Sequence, residues 1–179
     1  MNRPRLWWCP TGALAFLPIH AAGLYGRDNS PRWPCVSDFV TSYTPTVNAL
    51  LDKAKEVATK EERQISLLLI SQPATPGMSM IPATRQETFE VESVMTAEGI
   101  VTLLLEDSVA TISRVEEGMK THCWVHFACH AVQDGSEALK SGVHLHDGRL
   151  ELLEIMRQNL PDAELAFLSV CQSPDKYWR

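Results

Sequence analysis

The sequence of 179 residues lacks long apolar runs, basic clusters and a dense set of cysteines. No uninterrupted stretch approaches the ~20 apolar residues of a membrane-spanning helix, so we expect no membrane partner. Asp and Glu (22) outnumber Lys and Arg (16), which gives a net charge of −6. Because no basic stripe could neutralise phosphates, nucleic acid is not expected as a partner. Five cysteines at irregular spacings argue against a secreted disulfide scaffold and favour reduced thiols in the cytoplasm.

The N-terminus allows two interpretations. Arg3 and Arg5, followed by "GALAFLPIHAAG", resemble the basic and apolar regions of a signal peptide. Prolines and a histidine interrupt that apolar run, however, and "RLWW" has the composition of a strand. We therefore favour two strands joined by a turn at Pro10-Thr11-Gly12, which predicts an N-terminal β-hairpin.

Four apolar runs of strand length dominate the rest of the chain, at residues 66–71, 100–105, 123–129 and 163–171. Helical patterns separate them, one of which has Phe89, Val91, Val94 and Met95 as its core candidates. Strands that are apolar on both faces and alternate with helices are typical of a mainly parallel sheet in an α/β protein. We expect residues 1–62 to form a hairpin, a loop and a helix, and residues 63–179 to form the α/β core.

A histidine and a cysteine lie at the ends of the last two of these runs. His130 ends one strand and Cys171 ends the other, and the connection between the strands contains a helix. A right-handed crossover would bring both strand ends to the same edge of the sheet, where sites in parallel sheets form. A histidine beside a thiol can deprotonate it, so the pair suits nucleophilic cleavage of an amide or ester. Pattern alone leaves a structural role for both residues open.

Other candidate groups are weaker. His126, Cys129 and His130 could suggest a metal site, but on a strand the two histidines are about 13 Å apart and Cys129 points to the opposite face. We therefore expect no metal there. Asp134 and Glu137 follow in a polar loop, where either could orient the imidazole or could be solvated.

Four segments, in order, resemble the CHAT domain, a caspase-like domain that is found with tetratricopeptide repeats and is related to separase. The segments are "LWWCPTGALAFLPIHAAG", "FVTSYTPTVNALL", "WVHFACHAVQD" and "AFLSVCQS", and they span nearly the whole chain. The resemblance implies a caspase–hemoglobinase-like three-layer α/β fold. Compared with the family, the chain is expected to be a partial domain that is incomplete at its C-terminal end.

The resemblance also implies a catalytic His/Cys dyad, with His130 matching the family's His-Gly pair and Cys171 its Leu-Ser-Ala-Cys stretch. The backbone N–H groups of Ala131 and Cys171 would hold the oxyanion. Ala131 replaces the family's glycine, which matters if that position requires a positive φ. Loss of an oxyanion donor would cost about 10²–10³ in rate.

Two functions follow as hypotheses. The first is a cysteine endopeptidase that acts on a protein or peptide substrate and needs no metal or organic cofactor. The second is a non-catalytic pseudo-peptidase that serves as a protein-interaction module. Tetratricopeptide repeats or an activating protein are the expected partners of either form.

Overall fold

The computed structural model describes residues 3–25, 31–35, 39–51, 64–134 and 136–172. Backbone contacts group the chain into two compact units, Met1–Glu62 and Arg63–Arg179. The second unit contains both strand ends singled out above.

The N-terminal unit contains two pairs of strands rather than the predicted hairpin. Strand β1 pairs in parallel with β4, and β2 pairs antiparallel with β3. The hairpin prediction was wrong because the chain after β1 forms short 3₁₀ turns, and β1 finds its partner more than 30 residues later. The elements are β1 (Arg5–Trp8), β2 (Gly23–Tyr25), β3 (Pro31–Cys35), β4 (Val40–Tyr43) and helix α1, described over residues 47–51.

The C-terminal unit is built on a six-stranded sheet with the order β6-β5-β7-β8-β9, and β10 also pairs with β7. Four of its strands begin and end close to the predicted apolar runs. The elements are β5 (Ser66–Ser71), α2 (Ala83–Ala97), β6 (Val101–Glu106), α3 (Ile112–Thr121), β7 (Trp124–Val132), β8 (Gly142–His144), β9 (Arg149–Glu151), α4 (Leu152–Arg157) and β10 (Leu165–Gln172).

The sheet is mixed, which corrects the expectation of a mainly parallel one. Strands β6, β5, β7 and β10 are parallel, but β8 and β9 form an antiparallel hairpin that joins the same sheet. The hairpin turns at Asp147-Gly148. Ala131 pairs with both Val143 of β8 and Gln172 of β10, so the hairpin lies on the side of β7 away from β10.

Helices cover the two faces of the sheet, which gives three layers. Side chains alternate between faces along a strand, and the odd-numbered positions of β7 face the apolar core under α3. That core is formed mainly by Leu68, Ile70, Leu105, Val115, Met119, Phe127 and Cys129. The even-numbered positions of β7, including His126 and His130, lie on the opposite face with α2.

The face of α2 that packs on the sheet carries both polar and apolar residues. Thr84 and Thr88 are its buried residues, whereas Phe89 and Val94 are 63% and 59% exposed. The prediction was therefore wrong for Phe89 and Val94, because the helix turns another side to the sheet; the predicted Val91 and Met95 are half-buried on the same side as Thr84 and Thr88. The helix ends at Ala97, and Gly99, with φ 76°, follows its cap; the backbone N–H groups of Gly99 and Ile100 donate to the carbonyls of Thr96 and Met95, respectively.

Candidate active site

His130 lies near the end of β7, and its side chain is buried, with 4% of the residue exposed. Its Nε2 is 2.7 Å from the backbone carbonyl oxygen of Ser79. A carbonyl oxygen can only accept, so Nε2 must carry a proton. In the neutral imidazole the lone pair is then on Nδ1, which is buried and has no hydrogen-bond partner among the described residues. The structure therefore leaves Nδ1 as the basic atom.

The loop that supplies the Ser79 carbonyl is held by its own backbone hydrogen bonds. Gln72 donates to the carbonyl of Ala128 at 3.0 Å, which anchors the start of the loop to β7. Ile81 donates to the carbonyl of Pro73 at 2.9 Å, which closes the loop just before α2. The acceptor for the imidazole is therefore fixed to the strand that carries it.

Strand β10 brings position 171 beside His130. The two strands are parallel, and their register pairs Cys171 with His130 and Gln172 with Ala131. Register partners on neighbouring strands are about 4.8 Å apart. The structure describes Cys171 by its backbone, so the location of the thiol lies outside the described part of the chain.

Ala131 has an ordinary strand conformation. Among the described residues other than glycine, Asp107 alone has a positive φ, at 49°. Ala131 is half-buried in β7 and pairs with Val143. Replacing a glycine with alanine at this position therefore carries no backbone strain here, and the N–H group is retained.

A second polar cluster, which sequence reasoning missed, lies on the same sheet face. Glu87 of α2 binds His126 through Oε1 (2.9 Å to Nε2) and accepts a hydrogen bond from Ser169 Oγ through Oε2, also at 2.9 Å. His126 is buried, and the Phe167 ring lies 5.0 Å from its own ring, centroid to centroid. The three residues are 39 or more positions apart in the chain, so no local pattern could have predicted their contact.

The comparison with known families decides what kind of domain carries this site. The CHAT domain model matches residues 1–176. The chain belongs to the CHAT domain family. None of the curated proteins matches it. The three-layer α/β arrangement is consistent with the caspase-like fold of CHAT domains.

The other described thiols of this CHAT domain have different surroundings. Cys129 neighbours His130 in sequence but lies in the core, and burial raises its pKa to about 12. The Cys123 thiol is hydrogen-bonded to the backbone of Ser66. Cys9 is exposed and lies in the N-terminal unit, with its Sγ 3.4 Å from the Pro45 carbonyl oxygen. A thiolate at neutral pH is therefore not expected at Cys129.

The acidic residues after β7 contact their own loop and not the imidazole of His130. Asp134 Oδ1 accepts hydrogen bonds from the backbone and hydroxyl of Ser136 and from the backbone of Glu137. These bonds lower the pKa of the Asp134 carboxyl to about 2. Glu137 forms an ion pair with Lys140 at 2.7 Å. The Ser79 carbonyl, and neither acid, is thus the group that orients His130.

Neither a metal-binding cluster nor a membrane-spanning helix is found among the residues of this CHAT domain that the structure describes. In the described parts of the chain, no group of three or more His, Cys, Asp or Glu side chains is arranged to hold a metal ion. No helix among these residues is long and apolar enough to cross a membrane.

Proposed function

We propose that this CHAT domain is a caspase-like cysteine endopeptidase in which Cys171 is the nucleophile and His130 the general base and acid. One observation carries the proposal. The Ser79 carbonyl accepts a hydrogen bond from Nε2–H of His130, so the buried Nδ1 carries the lone pair. His130 lies on β7, whose register with β10 pairs it with Cys171. A base that is oriented by a third group, next to a nucleophile, is the arrangement expected for covalent catalysis.

In the proposed reaction, Nδ1 of His130 takes the proton of the Cys171 thiol. The thiolate attacks the carbonyl carbon of the scissile peptide bond. The imidazolium then returns its proton through Nδ1 to the leaving amine as the C–N bond breaks. Nδ1 next activates a water that hydrolyses the thioester and frees the cysteine. Throughout, the Ser79 carbonyl accepts from Nε2–H and thereby stabilises the imidazolium.

The oxyanion would be held by the backbone N–H groups of Ala131 and Cys171. These residues lie on adjacent parallel strands, and Cys171 is the register partner of the residue before Ala131. The absence of strain at Ala131 supports a retained donor at this position. Preorganised donors of this kind contribute about 10²–10³ each in rate.

The substrate class that suits this chemistry is a protein or peptide. The irregular spacing of the cysteines and the lack of a Lys/Arg cluster in the sequence support a cytoplasmic setting without a nucleic-acid partner. The proposed site needs neither a metal ion nor an organic cofactor. Tetratricopeptide repeats or an activating protein remain the proposed partners.

A non-catalytic pseudo-peptidase is the second candidate, and the burial of His130 favours it. With 4% of the residue exposed, the imidazole has little access to a substrate unless the surrounding loop moves. In that case the domain would act as an interaction module, and the dyad would be a remnant.

Turnover of a peptide library separates the two candidates. We expect cleavage by the wild type and loss of at least 10³-fold in turnover for Cys171→Ala and His130→Ala. Cys129→Ala is the matched control, because it removes a neighbouring thiol that burial keeps protonated. Full turnover by Cys171→Ala in a folded sample would contradict the peptidase. A wild type that folds, is given the proposed partners and cleaves nothing would support the interaction module.

A further inference from the structure

We propose that Glu87 is a positioning residue that holds β10 in register with β7 and so keeps position 171 opposite His130. The inference rests on the proposed function, since it concerns the alignment of the proposed dyad. Its basis is that one carboxylate joins three elements. Glu87 belongs to α2, His126 to β7 and Ser169 to β10, and each of the last two is 2.9 Å from a different oxygen of the carboxylate.

The Glu87 contacts lie on the same face of the sheet as His130 and close to it along the strands. Ser169 is the register partner of Ala128, two residues before the level of His130. Two residues along a strand correspond to about 6.6 Å. A constraint at Ser169 is therefore transmitted to position 171 through one intervening residue.

Besides Glu87, the Phe167 ring that packs on His126 helps to set the register of β10, and the remaining apolar side chains contribute little. Leu165, Phe167 and Leu168 are 50–58% exposed, and Val170 is the residue of β10 that packs against the core. Among the described residues the strand pairs with β7 alone. The apolar pattern of β10 thus gives only a weak preference for one alignment.

A slip of two residues shows why a specific polar contact is needed. Such a slip keeps every side chain on its own face, so alternation of apolar and polar residues does not oppose it. It would move position 171 by about 6.6 Å from His130 and abolish the pairing. It would also take Ser169 away from Glu87, so the loss of this hydrogen bond to a charged group opposes the slip.

Hydrogen exchange of the full chain, read by mass spectrometry, tests this role without depending on activity. In Glu87→Ala we expect the amides of β10 to exchange about tenfold faster, while those of β5 remain unchanged. Ser169→Ala should speed exchange in β10 to the same extent. Because it removes only one hydrogen bond, it tests the positioning role if Glu87→Ala does not fold. Glu90→Ala is the matched control, since it removes a carboxylate of the same helix that accepts a hydrogen bond from Gln86 of that helix.

Alkylation of the same variants by iodoacetamide gives the second measurement. We expect the rate at Cys171 to fall about tenfold relative to Cys9, which lies in the N-terminal unit. We also expect the effects of Glu87→Ala and His130→Ala not to add, because the first already separates the pair.

The outcomes are distinct. Exchange in β10 equal to that of the wild type in both variants would overturn the positioning role, as would an equal effect of Glu90→Ala. A lowered melting temperature with no local change in exchange would also overturn it, because it would indicate a general contribution to stability. A third outcome separates the two proposals: Glu87→Ala speeds exchange in β10, but His130→Ala leaves the reactivity of Cys171 unchanged. That result would support the positioning role of Glu87 and contradict the proposed peptidase.

Discussion

The reactivity of the cysteines towards iodoacetamide is the prediction that follows most directly from the site. The thiolate is the reacting form, so the rate depends on the fraction of each thiol that is ionised. At pH 7, a pKa of about 12 leaves Cys129 with about one thiolate in 10⁵. An ordinary thiol near pKa 8.5 has about 3% thiolate, and a thiol lowered to about 7.5 or below by an imidazolium has about a quarter or more. Cys171 should therefore react about tenfold faster than an ordinary cysteine.

The assay maps alkylation to individual cysteines by mass spectrometry over time. We expect the order Cys171, then the exposed Cys9, then Cys129 by a wide margin. His130→Ala should lower the rate at Cys171 about tenfold and leave Cys9 unchanged, because it removes the base and not the accessibility. The rate at Cys171 should fall as the pH falls through the pKa of its thiol, and its excess over an ordinary thiol should disappear as the pH rises above about 8.5, where both are ionised. Equal rates at Cys171 and Cys9 in the folded wild type, or no effect of His130→Ala, would refute the reasoning.

Three further predictions concern the elements that surround the site and are checked by thermal or denaturant unfolding. Gly142→Ala should destabilise the protein by about 1–3 kcal/mol, because a Cβ there meets the backbone carbonyl of Leu150 in the β8–β9 hairpin. Asp147→Ala should cost about 0.5–2 kcal/mol, since Asp147 accepts from the first backbone N–H of α3, at Ile112. Asp134→Asn should lower stability at neutral pH, and the difference from the wild type should shrink as the pH falls from about 4 to about 2. The sign follows because the folded pKa of Asp134 is lowered to about 2, so its stabilisation is present above the unfolded pKa and is lost below the folded one.

The secondary structure of the C-terminal unit was largely predictable from local pattern. The apolar runs at 66–71 and 123–129 correspond to β5 and most of β7. The core face of α2 was not predictable in the same way. Phe89 and Val94 were expected in the core, yet both are exposed, and Thr84 and Thr88 are buried instead. Helix periodicity alone does not report what the opposing surface contains.

The parallel pairing of β1 with β4 shows a second limit. Turn residues after β1 favoured a hairpin, which is the local solution. The strand instead pairs with residues 35 positions away, as Arg5 does with Val40. Pairing between distant segments depends on the surrounding fold, which local propensity does not report.

The sequence by itself determined that a histidine and a cysteine lie near the ends of two strands of one α/β sheet, because apolar runs of strand length and the hand of crossovers are local or nearly universal properties. Tertiary structure decided which atom of the histidine is free and what aligns the strands. The Ser79 carbonyl that holds His130 is 51 residues away, and the Glu87 carboxylate that binds Ser169 is 82 residues away. Contacts over such distances are formed by packing of whole elements, so no spacing in the chain could have indicated them.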